Sequence, residues 1–364
     1  MDTFSPLSPP RRAPRRRAPA GAIAALLAAT VIAGLLFAFL LPAVARATLV
    51  FQRGLTSPSV WTAADNGAHA RKLASGSMPR ISPDGSTVAY SVTPSGGEYK
   101  PQLMVVPAAG GTPRLLANGW RNPYAFAWSP DSKRIATVIG PEVGAQQLVV
   151  IEVATGASRT VASGYFYGVS FSPDGTTLVY GRAASEAYPQ RSDVYTAAVA
   201  GGPPRAITSD HRSLDPLWGP SNRIVFVKLL EANRRRYGPK NELYLMNPNG
   251  SAVRRLTHTK VGSLVQGLTP TDWSSSGARL LSEFVGQDTS YAVTVNALTG
   301  AQREVAGGGR GTFVGTALSG NGATVLGFTG GFEPGPRHNV VTVPYAGGRT
   351  RVIARNALNP DWNR

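Results

Sequence analysis

The sequence predicts an all-β fold of the propeller type. Three observations carry that reading: a strand-opening motif that recurs about every 45 residues, a glycine hairpin that recurs beside it, and a composition suited to short strands and tight turns. The chain has 364 residues, 42% hydrophobic and 16% charged, which suits a globular core rather than a disordered chain. Its 41 glycines and 29 prolines are more than a helical protein tolerates. There is no cysteine, which excludes disulfides, thiolate metal sites and cysteine nucleophiles.

The opening motif is an apolar or aromatic residue, then Ser-Pro-Asp-Gly or a decayed form, then a strand. Ile81-Ser82-Pro83-Asp84-Gly85 precedes Thr87–Tyr90, Trp128-Ser129-Pro130-Asp131-Ser132 precedes Arg134–Ala136, and Phe171-Ser172-Pro173-Asp174-Gly175 precedes Thr177–Tyr180. Weaker copies are Trp218-Gly219-Pro220, Trp273-Ser274-Ser275, Leu318-Ser319-Gly320 and Pro360-Asp361-Trp362. The hairpins turn at Gly67, Gly110-Gly111, Gly156, Gly201-Gly202, Gly250, Gly300 and Gly347-Gly348, where positive φ would strain any residue with a Cβ.

The two series are out of phase by one. The first hairpin, Val60 to Leu73, has no opening motif before it, and the last motif has no hairpin after it. The simplest closure lets the C-terminal strand complete the N-terminal blade, giving seven blades of four antiparallel strands with no exposed terminal edge. Six blades and a loose tail is the alternative.

Residues 1–17 form a basic, Pro- and Arg-rich segment expected to be a cytoplasmic tail. Arg11, Arg12, Arg15, Arg16 and Arg17 stand before an apolar run from Ala18 to Ala45 that holds no charge. The run is long enough to cross about 30 Å of hydrocarbon, and the arginine asymmetry places everything downstream outside. Residues 18–47 are therefore expected to be one transmembrane helix, a single-pass signal-anchor in the cytoplasmic membrane. Cleavage at Ala43-Val44-Ala45 or Ala45-Arg46-Ala47 would instead release a secreted or periplasmic domain. Residues 48–364 form the propeller.

The formal net charge of +17 divides into +5 before Thr48 and +12 after it. Only six of the basic residues are lysines, and the arginines, scattered among abundant Ala and Gly, read as a coding bias. That scatter argues against nucleic acid as a partner.

The aromatic-Ser-Pro-Asp-Gly openings resemble the Pro-Asp variant of the WD-type repeat found in TolB-like propellers and in the propellers of prolyl-oligopeptidase-type enzymes. The resemblance covers roughly residues 48–364 and implies the fold; the fifth, sixth and seventh units lack the turn Asp.

Little in the sequence points to chemistry. No Gly-x-Ser-x-Gly elbow and no phosphate-binding Walker loop occurs, and Gly307–Gly311 precedes a strand rather than a helix. His69, His211, His258 and His338 stand singly in different repeats and read as surface loop residues. A resemblance to metal-dependent pectate-type lyase propellers would require some of them to meet at the axis. Asp84, Asp131 and Asp174 are expected to bond their own turn backbones. No catalytic residue, cofactor or metal is assigned.

The loops between the second and third strands and between blades share one face. That face is expected to carry Trp120, Tyr124, Tyr165, Phe166, Tyr167, Tyr188 and Tyr237 with the basic insertion Arg234-Arg235-Arg236, the composition of a binding surface. The function expected is a non-catalytic scaffold outside the cytoplasmic membrane, binding a protein or an envelope polymer. The alternative is a propeller hydrolase or lyase acting on an extracellular polymer from the central funnel.

Overall fold

The computed structural model describes residues 48–94, 100–120, 125–141, 144–185, 191–231, 239–260, 265–286, 290–306, 312–330 and 338–363. The tail expected at 1–17 and the transmembrane helix expected at 18–47 lie outside them. Among the described residues no helix is long and apolar enough to cross a membrane, and the fold is an all-β, propeller-like one.

The first sheet holds β1 (Thr48–Arg53), β2 (Ser59–Ala64) and β3 (Arg71–Ser75). The second holds β4 (Ser77–Ile81), β5 (Thr87–Val92), β6 (Gln102–Pro107) and β7 (Arg114–Asn118). A seven-stranded path follows: β8 (Phe126–Trp128), β9 (Arg134–Ile139), β10 (Gln146–Glu152), β11 (Ser158–Phe171), β12 (Thr177–Ala183), β13 (Ser192–Ala198) and β14 (Arg205–Ala206). An eight-stranded one comprises β15 (Ser213–Trp218), β16 (Ile224–Leu230), β17 (Lys240–Met246), β18 (Arg254–Arg255), β19 (Val265–Trp273), β20 (Arg279–Gly286), β21 (Ser290–Asn296) and β22 (Gln302–Val305). The last sheet holds β23 (Phe313–Leu318), β24 (Thr324–Thr329), β25 (Asn339–Pro344) and β26 (Arg351–Arg355). The C-terminal strand β27 (Leu358–Trp362) returns to pair antiparallel with β1, Leu49 opposite Trp362 and Gln52 opposite Leu358.

Each sheet buries both faces, which explains why the strands read as apolar runs rather than alternating ones. In β1, Leu49 and Phe51 pack with Ala317, Leu326 and Val340 of the last sheet, while Val50 packs with Ile81, Val88 and Tyr90 of the second. Every fully buried side chain of that size contributes about 1.5–3 kcal/mol of transfer free energy, so the closing contacts are a large share of the domain's stability.

The opening motif is a hydrogen-bonded turn. Ser82 Oγ donates to Asp84 Oδ1 at 2.6 Å and accepts the Thr87 N–H at 3.0 Å, while Asp84 Oδ1 accepts the Ser86 N–H at 2.9 Å. The same set recurs around Ser129 and Asp131 and around Ser172 and Asp174. The serine hydroxyls hold the Asp131 and Asp174 carboxyls below the usual carboxylate range. The decayed copies keep the chemistry: Asn321 Oδ1 accepts from Ser319 Oγ at 2.8 Å and from the Ala323 N–H at 2.9 Å.

At the hairpin end, arginine ties one repeat to the next. The outermost strand of each unit carries an arginine as its first or second residue, three or four residues beyond the turn glycine: Arg71, Arg114, Arg159, Arg205, Arg254, Arg303 and Arg351. Arg71 donates to Ala108 O at 2.6 Å, Arg254 to Ala297 O at 3.0 Å and Arg303 to Ala346 O at 2.7 Å, each in the following hairpin; Arg114 donates likewise to Val153 O. Nearer the axis, Arg279 donates to Gly322 O at 2.9 Å. Seven of the arginines thus form a repeated structural series within the excess that the sequence shows as scattered.

Candidate functional site: the axial cavity

The inner strands converge on a cavity of about 280 Å³, lined among others by Met78, Arg80, Phe126, Asp215, Glu283 and Asp361. Three residues before the apolar or aromatic residue that leads the motif, these strands bulge. Met78, Gly168, Asp215 and Asn359 hold φ of 53°, 60°, 46° and 49° at equivalent positions, a conformation that glycine, Asn and Asp adopt at least cost. The bulges break the ladder there, between Ser77 and Arg80, Tyr167 and Val169, and Leu214 and Leu217.

The residue just before the aromatic latches neighbouring repeats together. Asp361 Oδ2 accepts the Ile81 N–H at 3.0 Å, Ser170 Oγ the Trp218 N–H at 3.2 Å, and Asp272 Oδ2 the Leu318 N–H at 2.7 Å. Indole N–H groups reach back the other way: Trp273 donates to Leu217 O at 3.3 Å and Trp362 to Leu318 O at 3.0 Å.

The acidic groups in the cavity therefore differ. Both Asp361 oxygens accept backbone N–H groups, from Ile81 and from Trp362. Glu283 accepts from Ser290 Oγ. Asp215 accepts nothing among the described residues, and burial alone pushes its carboxyl up to about 6. The residue is half-buried and lines the cavity. Among the described residues Arg80 is the cation of the lining, with Nη1 donating to Pro79 O at 3.2 Å.

Several residues expected at the loop face are placed otherwise. Trp120 is 2% exposed; its indole N–H donates to Thr137 Oγ1 at 2.8 Å and its ring lies 5.6 Å from that of Phe126. It fills the seam between two sheets and is not available as a surface anchor. Phe166 is likewise buried, edge-on to Tyr180 at 5.7 Å. Tyr165 and Tyr167, half-buried, belong with Phe166 to the continuous strand β11 rather than to a loop, paired opposite Ala183 and Gly181. Tyr124, Tyr188, Arg234, Arg235, Arg236 and Tyr237 lie outside the described residues.

The histidines stay apart from the cavity lining. His338 is buried, contrary to the surface reading, because it sits at the edge of β25 where the Ala357 N–H donates to its carbonyl. His211 Nδ1 lies 2.6 Å from Asp193 Oδ2, and Asp193 also accepts from Thr208 Oγ1 at 2.9 Å. Among the described residues no group of three or more His, Asp or Glu could hold a metal ion. Asp215 escaped the sequence reading because it precedes a decayed motif, Leu214-Asp215-Pro216-Leu217-Trp218; its signal was an acid three residues before the motif's aromatic, where Met78, Gly168 and Asn359 stand in other repeats.

No family model matches the chain, and no curated protein matches it by sequence. Solved structures do. TolB from Acinetobacter baumannii superposes with a TM-score of 0.53 at 16% identity, covering 86% of this chain and 82% of that one. The β-propeller domain of the Trilobed protease from Pyrococcus furiosus gives 0.59 at 13%, covering 84% and 93%. An oligogalacturonate lyase in complex with manganese gives 0.54 at 15%, covering 85% of each chain. The chain's structural neighbours are TolB-like β-propellers, and at these identities the likeness establishes the fold alone.

Proposed function

We propose that residues 48–364 form a seven-bladed propeller that acts as a non-catalytic binding scaffold outside the cytoplasmic membrane, held there by the segment 18–47. The blade count divides the long sheet paths where their pairing changes. β11 gives Ser158–Gly164 to β10 and Tyr165–Phe171 to β12, and β17 touches β19 through the single parallel bridge Asn241 to Gly267. Splitting there leaves seven four-stranded units, with β27 supplying the inner strand of the first.

The observation that carries the binding role is the axial cavity. It offers an unpartnered carboxylate on walls of mixed polar and apolar character, and among the described residues its lining holds no histidine or serine. The neighbours include both TolB and a lyase, so the alternative is a hydrolase or lyase using the same funnel. A photo-crosslinker at Met78 in the intact protein should give a discrete adduct that disappears when Phe126→Trp narrows the cavity. Turnover of polygalacturonate or short peptides by the purified chain, lost on Asp215→Asn, would reverse the assignment.

A further inference from the structure

We propose that the hairpin end of the fold rests on an anionic phospholipid surface. This goes beyond the binding role given to the axial cavity, which lies within the ring. The seven arginines at the start of the outermost strands stand at that end, all but the half-buried Arg159 exposed. Those that staple do so to neutral backbone carbonyls, and among the described residues none of the seven has a carboxylate partner. None of the seven is therefore tied up in an ion pair, although acids such as Glu152, in one cleft with Arg159, stand at the same end, and a guanidinium that gives one N–H to a carbonyl keeps others free for phosphate oxygens.

Charge alone would fit any polyanion; the apolar residues between the arginines select a lipid. Of the five large hydrophobic side chains that are exposed among the described residues, four stand at this end: Leu115 beside Arg114, Val253 beside Arg254, Val352 beside Arg351, and Leu298, 80% exposed, in the hairpin before Arg303. Cations interleaved with exposed aliphatic groups match a headgroup layer over acyl chains. Thr48 lies at the same end, where its carbonyl accepts the Asn363 N–H at 3.3 Å.

Because the chain has no cysteine, single reporter thiols can be placed at will. Leu298→Cys at the hairpin end and Leu55→Cys at the opposite end would carry a polarity-sensitive dye on the full chain, reconstituted in phosphatidylcholine vesicles with or without phosphatidylglycerol. The dye at 298 should shift to the blue only with the anionic lipid and lose the shift as salt is raised, with the dye at 55 unchanged. Arg205→Gln and Arg351→Gln, which break no carbonyl staple, should each weaken the anionic-lipid response roughly fivefold, equivalent to ~1 kcal/mol per basic residue. The same emission at 298 in both lipids, an equal anionic shift at 55, or binding to heparin without the vesicle response overturns the proposal. Resistance to carbonate extraction from the neutral vesicles reports on the anchor by itself, so a failure there is distinct from a failure of the lipid-facing surface.

Discussion

Asp215→Asn should make the protein more stable at neutral pH, an unusual direction for a change inside a folded domain. Burial raises the Asp215 carboxyl to about 6 in the folded state, against about 3.9 in an unfolded chain. The folded state thus holds the proton more tightly. The group is neutral in both states below pH ~4; stability falls as pH rises from about 4 to 6, and the full cost applies above that. Two pKa units set the ceiling of that cost at about 3 kcal/mol, and cavity water reaching the carboxylate reduces it. Asparagine removes the charge and tolerates the φ of 46° that position 215 adopts, so the backbone need not move. At roughly 2 cal/mol/K per residue, a gain of 1–3 kcal/mol raises the melting temperature of a domain this size by a few degrees. Calorimetry at several pH values between 4 and 8 would measure it. If the variant melts like the parent at pH 8, or if the gain is the same at pH 4, the carboxylate is not an uncompensated buried charge and the case for the cavity as a binding site weakens.

Other outcomes follow from the latches and from the chain's ends. Asp361→Asn turns an N–H toward the Ile81 N–H and should cost about 1–3 kcal/mol, read as a lower urea midpoint with the slope unchanged. Deleting residues 358–364 removes the buried Leu358, the pairing with β1 and the Trp362 bond to Leu318, a combined loss comparable with the ~5–15 kcal/mol that holds a domain together; a truncated chain that still melts cooperatively near the parent temperature would argue for an open ring. An extracytoplasmic reporter fused after Arg364 should be active, and a stable but silent fusion would refute the orientation read from the arginine asymmetry.

What could be read from the sequence was whatever repeats with a local cause. Ser82, Asp84 and Gly85 form a turn through contacts within a few residues, so the motif announces itself, and the phase slip between motifs and hairpins pointed to the pairing of β27 with β1. What could not be read depends on packing between repeats. Trp120 and Phe166 sit in segments that look like connectors, yet their rings fill seams between sheets, because a propeller-like fold buries both faces of every sheet and needs large side chains at the edges of those seams. The arginines were hidden differently: each is unremarkable alone, and the series appears only when the hairpin glycines are aligned and position three or four beyond is read down the column.

That series bears on how the fold tolerates so weak a motif in its later repeats. In the fifth and sixth units the turn carboxylate is gone, yet Trp218 Nε1 donates to Asn222 Oδ1 at 2.9 Å and the Ala278 N–H donates to Ser276 Oγ at 3.3 Å, so the turns persist on neutral acceptors. Between repeats, the load passes to bonds the motif does not encode: Asp272 to the Leu318 N–H, Arg279 to Gly322 O, and Arg254 to Ala297 O. Each joins a side chain to the backbone of the next repeat, so it constrains that neighbour's position without constraining its sequence. Divergence within the motif is then cheap, whereas loss of a latch or staple leaves a buried N–H or a hairpin carbonyl without its partner. The axial bulges are free to vary for the same reason. With neighbouring repeats registered at their motifs and at their hairpins, the residue three places before each motif can be Met78, Gly168, Asp215 or Asn359, and that position lines the cavity.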